Sequence, residues 1–139
     1  RNTLSMSGQT QIRIDAYKKN HVYTVDRGSI LLMLYQGAID FVKCAKEHLE
    51  KGEMAEKGAY LSKAHAIITE FLCSLNVDVG GDVARNLEKL YRFMLDQLME
   101  AHLGNDSKPL DTVIHLLSTL KEGWEGAVAQ VRKEGLLRE

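Results

Sequence analysis

Proline is nearly absent from this 139-residue sequence: Pro109 is the only one, where average usage would give about seven. Because proline interrupts helices and central strands, its scarcity predicts long, unbroken elements. Cysteine is also scarce, and Cys44 and Cys73 lie in apolar sequence without a CxxC pair or a Cys/His cluster. This pattern excludes a disulfide-rich scaffold and predicts buried free thiols in a reducing compartment.

The sequence also lacks a charge imbalance and a long hydrophobic run. Eighteen Lys and Arg against nineteen Asp and Glu leave a formal charge of −1, so no strong field favours nucleic acid or acidic lipid. No apolar run reaches the roughly 18 residues of a membrane helix, and the N-terminus lacks the apolar stretch of a signal peptide. We therefore expect a cytoplasmic protein without nucleic-acid binding or membrane insertion.

The composition that remains is that of one water-soluble domain. Hydrophobic residues make up 45% and charged residues 27% of the chain, which is close to the average for globular proteins, and the length suits a single domain. Residues 1–25 are polar with isolated apolar positions, and they predict a flexible N-terminal segment. Residues 26–134 carry periodic patterns, and residues 135–139 form a short tail.

Apolar residues recur at steps of three and four in four stretches, which is the spacing of amphipathic helices. The first is predicted to run from an N-cap at Asp26 to Gly52, the second over 54–75, the third over 82–103 and the fourth from Pro109. The predicted stripes of the first and fourth helices are Leu31, Leu34, Ala38, Phe41, Ala45 and Leu49, and Leu110, Val113, Leu117, Leu120, Trp124, Ala127 and Val131. Short linkers return each helix beside the last, so the sequence predicts an all-α, antiparallel up-down-up-down four-helix bundle.

Motifs for catalysis or cofactor binding are missing. No Asp or Glu has a His three residues later, as di-iron bundles require, and there is no HExxH. Asp111 and His115, four residues apart, predict a surface contact, and Gly80-Gly81 predicts a turn rather than a phosphate loop. We expect no metal, no cofactor and no enzymatic activity, with a site assembled from distant residues as the open alternative.

Apolar residues outside the predicted stripes are more informative. Gly37 stands in mid-helix, where glycine costs about 1 kcal/mol relative to alanine, so either a close approach requires it or the cost is tolerated. The off-stripe apolar residues are Ile30, Leu32, Met33, Tyr35, Ile39, Val42, Ile67, Leu72, Tyr91, Phe93, Leu95 and Met99. Two explanations stay open: a central helix buried over a wide arc, and an apolar surface reserved for another chain.

Several strings of residues, in order along the chain, carry a resemblance to a known family. The strings are Leu32-Met-Leu-Tyr-Gln-Gly-Ala-Ile39, Leu61-Ser-Lys-Ala64 with Ile67-Ile68, Gly80-Gly-Asp-Val-Ala-Arg-Asn-Leu87 with Leu90-Tyr91 and Met94, Ala101-His-Leu-Gly-Asn-Asp106, and Trp124. Together they resemble the bacterial flagellin-specific export chaperones, the FliS family, over about residues 14–131. The chain departs from the family in opening its first long helix with Asp26-Arg-Gly-Ser-Ile30 instead of a Ser-Pro pair.

The resemblance implies a four-helix bundle that binds newly made flagellin in the cytosol, holds the flagellin C-terminal segment until export, and docks on the flagellar export gate. It also implies that Ile14 and Tyr17 match an N-terminal plug that covers part of the binding surface when flagellin is absent. The expected partner-binding residues are Ile14, Tyr17, Leu32, Tyr35, Gly37, Ile39, Ile67, Leu72, Val83, Leu87, Tyr91 and Met94. The alternative is a structural or regulatory bundle that self-associates through the same surface.

Overall fold

A computed structural model describes the backbone of residues 9–138 and the side chains of residues 27–135. Within this range the backbone forms four helices and no strand: α1 (Gln9–Glu50), α2 (Met54–Cys73), α3 (Val77–Gly104) and α4 (Lys108–Arg138). The predicted all-α four-helix fold is confirmed. The side chains of Ile14 and Tyr17 lie outside the described residues, so the N-terminal plug stays a prediction, as do the limits of the N-terminal segment and the tail.

Three helix boundaries lie where the sequence placed them. Gly52 follows α1 with a φ of 77°, and its N–H donates to the Leu49 carbonyl at 3.1 Å. Asn105 follows α3 in the left-handed region, with its N–H bonded to the Ala101 carbonyl. Pro109 lies in the first turn of α4, where its missing N–H leaves no helical hydrogen bond unmade.

A kink at Gly81 divides α3 near its start. Gly81 has a φ of 56° and a ψ of −130°, a conformation that only glycine adopts without strain. The turn before the kink is capped by Asn76, whose side chain accepts from the Val79 N–H at 3.3 Å. The regular part of α3 therefore begins at Asp82, which is the predicted start of the third helix.

The predicted start of the first helix is wrong. The backbone is already helical at Gln9 and remains so through Asp26, so Asp26 lies inside the helix rather than at its N-cap. No proline precedes Pro109, and the weak helix formers in this stretch do not suffice to break a helix.

The chain divides into two compact units, one of residues 33–122 and one of the residues before and after that range. The 33–122 unit contains parts of all four helices. Lys57, near the start of α2, reaches Asn105 just after α3, and Lys46, near the end of α1, pairs with Asp111 at the start of α4 at 2.7 Å. Within this unit, α2 and α3 therefore run antiparallel, as do α1 and α4, which agrees with the predicted arrangement.

The core of the 33–122 unit draws on every helix. Its buried apolar side chains are Tyr35, Ala38, Ile39, Val42, Ala45, Leu61, Ala64, Ile68, Phe71, Ala84, Leu87, Tyr91, Met94, Leu98, Ala101, Leu110, Val113 and Leu117. On α1 the buried arc is rotated from the predicted stripe, because Tyr35 points inward and Leu34 is exposed.

The unit formed by the chain ends has its own contacts between α1 and α4. Arg132 Nη2 donates to Ser29 Oγ at 2.6 Å. A Cβ added to Gly28 would lie 2.8 Å from Cγ2 of Val128, so glycine allows the two backbones to approach. Val128 is buried, whereas the predicted stripe residues Ala127 and Val131 are exposed. The buried side of α4 therefore differs here from the stripe that the alternating steps of three and four predict.

Two further expectations change in detail. Among the described residues, the stretch 27–50 is long and apolar enough to cross a membrane by length and composition alone. Its inner face lies in the core through Tyr35, Ala38 and Val42, so these features are those of a core helix. Both cysteines are free, but they are not buried as the sequence predicts: Cys44 is half-buried and Cys73 is exposed. Cys73 is the last residue of α2.

Candidate partner-binding surface

An aromatic cluster lies at the centre of the 33–122 unit. The rings of Tyr35 and Phe71 stack at a centroid distance of 4.4 Å, and Tyr91 lies 5.6 Å from Phe71. The hydroxyl groups of Tyr35 and Tyr91 are hydrogen-bonded to each other. Burial, reinforced by this hydrogen bond, raises the pKa of Tyr91 well above its usual value. The pair is therefore a neutral, satisfied element of the core.

Five of the expected partner-binding residues are buried in this core. They are Tyr35, Ile39, Leu87, Tyr91 and Met94. Burial of α1 over a wide arc thus accounts for Tyr35, Ile39 and Val42, one of the two explanations that the sequence left open. These side chains present little or no surface in this structure, and a direct role in partner binding stays a prediction.

The other described members of the expected set reach the surface. Leu32, Gly37, Ile67 and Leu72 are half-buried, and Val83 is 66% exposed. A Cβ added to Gly37 would lie 3.8 Å from Cδ1 of Ile67, which is ordinary van der Waals contact. Packing within the chain therefore does not require a glycine at position 37.

A cleft lies between α2 and α3 on the described surface. It encloses about 190 Å³. We call it the α2–α3 cleft, and its lining residues are Gly58, Leu61, Ser62, His65, Leu98, Met99 and His102. Leu61 and Leu98 are buried, whereas Met99 is 50% exposed. The cleft thus combines an apolar lining with two imidazoles that supply polar groups.

The sequence indicated only part of this cleft. Met99 is one of the off-stripe apolar residues, and His102 lies in a string that carries the family resemblance, but neither Gly58 nor His65 belongs to a pattern that the sequence analysis uses. The two histidines lie on different helices and are 37 positions apart, so no local pattern connects them. Only the antiparallel pairing of α2 with α3 brings them to one site.

A second apolar region lies along α1 and α2. The rings of Phe41 and Tyr60 are 6.1 Å apart, and Nζ of Lys63 lies 5.5 Å from each ring centroid. His48 stacks on Tyr60 at 5.4 Å. One turn before Gly37 on α1, Met33 is 72% exposed, so this region also presents apolar surface.

The polar contacts of the described residues are those of a scaffold. No buried side-chain nitrogen or oxygen lacks a partner there, and no three His, Cys, Asp or Glu residues converge on a metal-sized site in that part of the chain. Asp111 pairs with Lys46, and its hydrogen bond and charge raise the pKa of Lys46. The exposed apolar side chains are therefore the best indication of a binding site in this part of the chain.

A helical bundle with a satisfied core and apolar side chains at its surface is typical of proteins that bind other polypeptides. The sequence model of the family described as "Flagellar protein FliS" matches residues 10–131. The chain belongs to this family, which confirms the resemblance seen in the sequence.

Individual relatives agree with the family match. The chain is 34% identical to the flagellar secretion chaperone FliS of Vibrio cholerae, over 81% of this chain and 85% of the relative. It is 33% identical to the flagellar secretion chaperone FliSB of Pseudomonas aeruginosa, over 88% and 94%. It is 38% identical to the flagellar secretion chaperone FliS of Salmonella typhimurium, over 69% and 72%. These relatives carry the name of a chaperone, not of an enzyme.

Proposed function

We propose that this protein is a cytoplasmic flagellar export chaperone that binds the disordered C-terminal segment of flagellin, prevents its premature polymerisation and keeps it competent for export. The observation that carries the proposal is the apolar α2–α3 cleft, open on a bundle whose core is otherwise complete. Membership in the FliS family supports flagellin as the partner. Docking of the loaded chaperone on the export gate belongs to the same proposal.

The physical mechanism is coupled folding and binding. An assembly subunit whose ends form apolar helical contacts only after assembly is liable to self-associate before export. A chaperone that covers such a segment buries about 1,000–3,000 Å², and ordering the segment costs about 2–5 kcal/mol of the interaction energy. The complex is then tight enough to protect the segment and weak enough to release it.

A cleft lined by two neighbouring helices suits the helix-in-groove mode of recognition. An amphipathic helix binds such a groove through apolar anchors three or four residues apart. Met99 supplies a flexible, polarizable wall that adapts to different side chains, and the buried Leu61 and Leu98 provide a fixed apolar base. The expected residues Ile67, Leu72 and Val83 extend the proposed contact beyond the cleft, and Ile14 with Tyr17 would compete for it.

Titration of the purified protein with a synthetic C-terminal flagellin peptide tests the proposal. Calorimetry should show binding at micromolar concentrations or tighter, and far-ultraviolet circular dichroism should show added helix. Absence of both heat and added helicity would overturn the proposal. Light scattering over a dilution series distinguishes the alternative, because a stable dimer that excludes the peptide would indicate self-association through this surface.

A pair of methionine variants localises the contact. Met99→Glu places a charge in the α2–α3 cleft, and we expect peptide affinity to fall at least about tenfold, which is about 1.4 kcal/mol. Met54→Glu is the matched control, because Met54 is also an exposed methionine, at 40%, but does not line the cleft. Equal affinities of the two variants would place the contact elsewhere.

A further inference from the structure

Lys57 is the only buried charged residue in the described part of the chain, with 3% of its surface exposed. Lysine is rarely buried to this degree unless its ammonium group has partners. Nζ of Lys57 donates to the His102 carbonyl oxygen at 3.2 Å and to Asn105 Oδ1 at 2.7 Å. We call these three groups the Lys57 latch.

The latch joins two places that are far apart in sequence. Lys57 lies in the first turn of α2, whereas His102 is in the last turn of α3 and Asn105 ends that helix. Carbonyl groups in the last turn of a helix lack intrahelical donors, and a cation there interacts favourably with the helix dipole. Asn105 ends the helix with φ 48° and ψ 44°. Because its Oδ1 accepts from Lys57, Lys57 also holds the side chain of this C-cap residue.

The same residues form one end of the α2–α3 cleft. His102 contributes its carbonyl to the latch and also lines the cleft. Gly58, the neighbour of Lys57, lines the cleft as well, and a Cβ added there would lie 3.8 Å from Cε1 of His102. Lys57 thus fixes the backbone of a residue whose ring borders the cleft.

A lysine is a poor choice if this position serves stability alone. Desolvation of an ion offsets much of its pairing energy, and an apolar residue of similar volume is often equally stable or more so. An ammonium group differs from an apolar side chain in that its N–H groups require hydrogen-bond acceptors at defined positions. Here both acceptors lie at the end of α3, so the latch defines the spacing of α2 and α3 at that end of the cleft.

We infer that Lys57 is a positioning residue for partner binding, which holds His102 and the end of α3 so that the α2–α3 cleft is preformed for an apolar side chain of a partner helix. The inference rests on the proposed function for the identity of the occupant. A preformed cleft avoids ordering its own walls when the partner binds, and this raises affinity without any contact between Lys57 and the partner.

Replacement of the ammonium group in the full-length chain tests the inference. Lys57→Met retains an unbranched apolar side chain and removes the donor. We expect peptide affinity to fall about tenfold with helicity retained, within the range by which residues without ligand contact change binding. Asn105→Gly removes the nearer acceptor and still accommodates the left-handed backbone at this position, so it should produce part of the same loss. The double variant should bind no more weakly than Lys57→Met, because both changes break one latch.

Two controls separate positioning from general stability. Val113→Ala removes buried volume on α4 outside the cleft, so it should lower the unfolding midpoint while affinity stays within about twofold of wild type. Lys89→Met removes an exposed lysine on α3 and should change neither quantity. Unchanged affinity of Lys57→Met, with a lowered unfolding midpoint, would overturn the inference and leave Lys57 as a structural anchor.

A measurement on the free protein keeps the latch testable when binding is not observed. The ring signals of His102 in nuclear magnetic resonance spectra should shift in Lys57→Met, whereas those of exposed His115 should not. If the wild-type protein does not bind the peptide, the proposed function fails, and the His102 signals still report on the latch. Unmoved His102 signals in both Lys57→Met and Asn105→Gly would overturn the positioning role.

Discussion

At the scale of single residues, the hydrogen-bonded pair of Tyr35 and Tyr91 shows where sequence patterns lose information. Both tyrosines were expected at the partner surface, because Tyr35 and Tyr91 stand outside the predicted stripes. The structure buries both and joins their hydroxyl groups. Burial of a tyrosine hydroxyl without a hydrogen-bond partner costs stability. Here the partner is 56 residues away, beyond the reach of any local pattern.

The same pair predicts how stability changes at alkaline pH. Because burial and the Tyr35 hydrogen bond raise the pKa of Tyr91 in the folded state, the folded protein keeps a proton that the unfolded chain releases above about pH 10. The stability contribution is complete below that pH and is lost as pH rises. The raised pKa of Lys46 acts in the same direction, and it is common to wild type and Tyr91 variants.

Tyr91→Phe should therefore lower the free energy of unfolding by about 1–2 kcal/mol near neutral pH, since the Tyr35 hydroxyl loses its partner. The variant should also lose less stability than wild type between pH 8 and pH 10.5. Urea unfolding at the two pH values measures both effects. The double variant Tyr35→Phe/Tyr91→Phe is the control and should recover part of the neutral-pH loss. Identical pH dependence in wild type and Tyr91→Phe would contradict this assignment.

At the scale of helices, three ends were more predictable than the buried faces, although the predicted start of α1 at Asp26 was wrong. Gly52, Asn105 and Pro109 mark boundaries through their own backbone chemistry, so the sequence alone locates them. The buried face of a helix depends on its neighbours as well. For this reason Leu34, which belongs to the predicted stripe of α1, is exposed. On α4, Val128 is buried, whereas the predicted stripe residues Ala127 and Val131 are exposed.

Two helical glycines make the role of neighbours measurable. Gly126→Ala, in α4 with nothing within 4 Å of an added Cβ, should stabilise the protein by up to about 1 kcal/mol through helix propensity. Gly28→Ala should give no gain and a loss of about 1 kcal/mol or more, because its Cβ would lie 2.8 Å from the stiff side chain of Val128.

Thermal unfolding of the two glycine variants under the same conditions supplies the comparison. A lower midpoint for Gly28→Ala and a higher one for Gly126→Ala are expected. A gain in stability for Gly28→Ala equal to that of Gly126→Ala would show that α1 and α4 do not pack closely at this position.

At the scale of the whole molecule, the sequence predicted the four-helix fold and the family, but only part of the site. Apolar periodicity sufficed for the helices, and the quoted strings sufficed for the resemblance. The α2–α3 cleft needed the structure, because Gly58, His65 and His102 converge only when two helices pair. Lys57 could not be selected from sequence either, since a lysine on an amphipathic helix is ordinarily solvated.

In the proposed function, a bundle with a near-neutral net charge keeps apolar surface open for the flagellin C-terminal segment. The five methionines of the chain provide direct reporters, because Met99 lines the α2–α3 cleft while Met94 is fully buried in the core and Met54 is exposed outside the cleft.

Methyl-labelled methionine spectra, recorded while the C-terminal flagellin peptide is added, show whether the peptide occupies the α2–α3 cleft. We expect the Met99 methyl signal to shift until binding is saturated, while the Met94 and Met54 signals move little. A Met99 signal that stays in place at peptide concentrations that saturate binding by calorimetry would contradict this expectation.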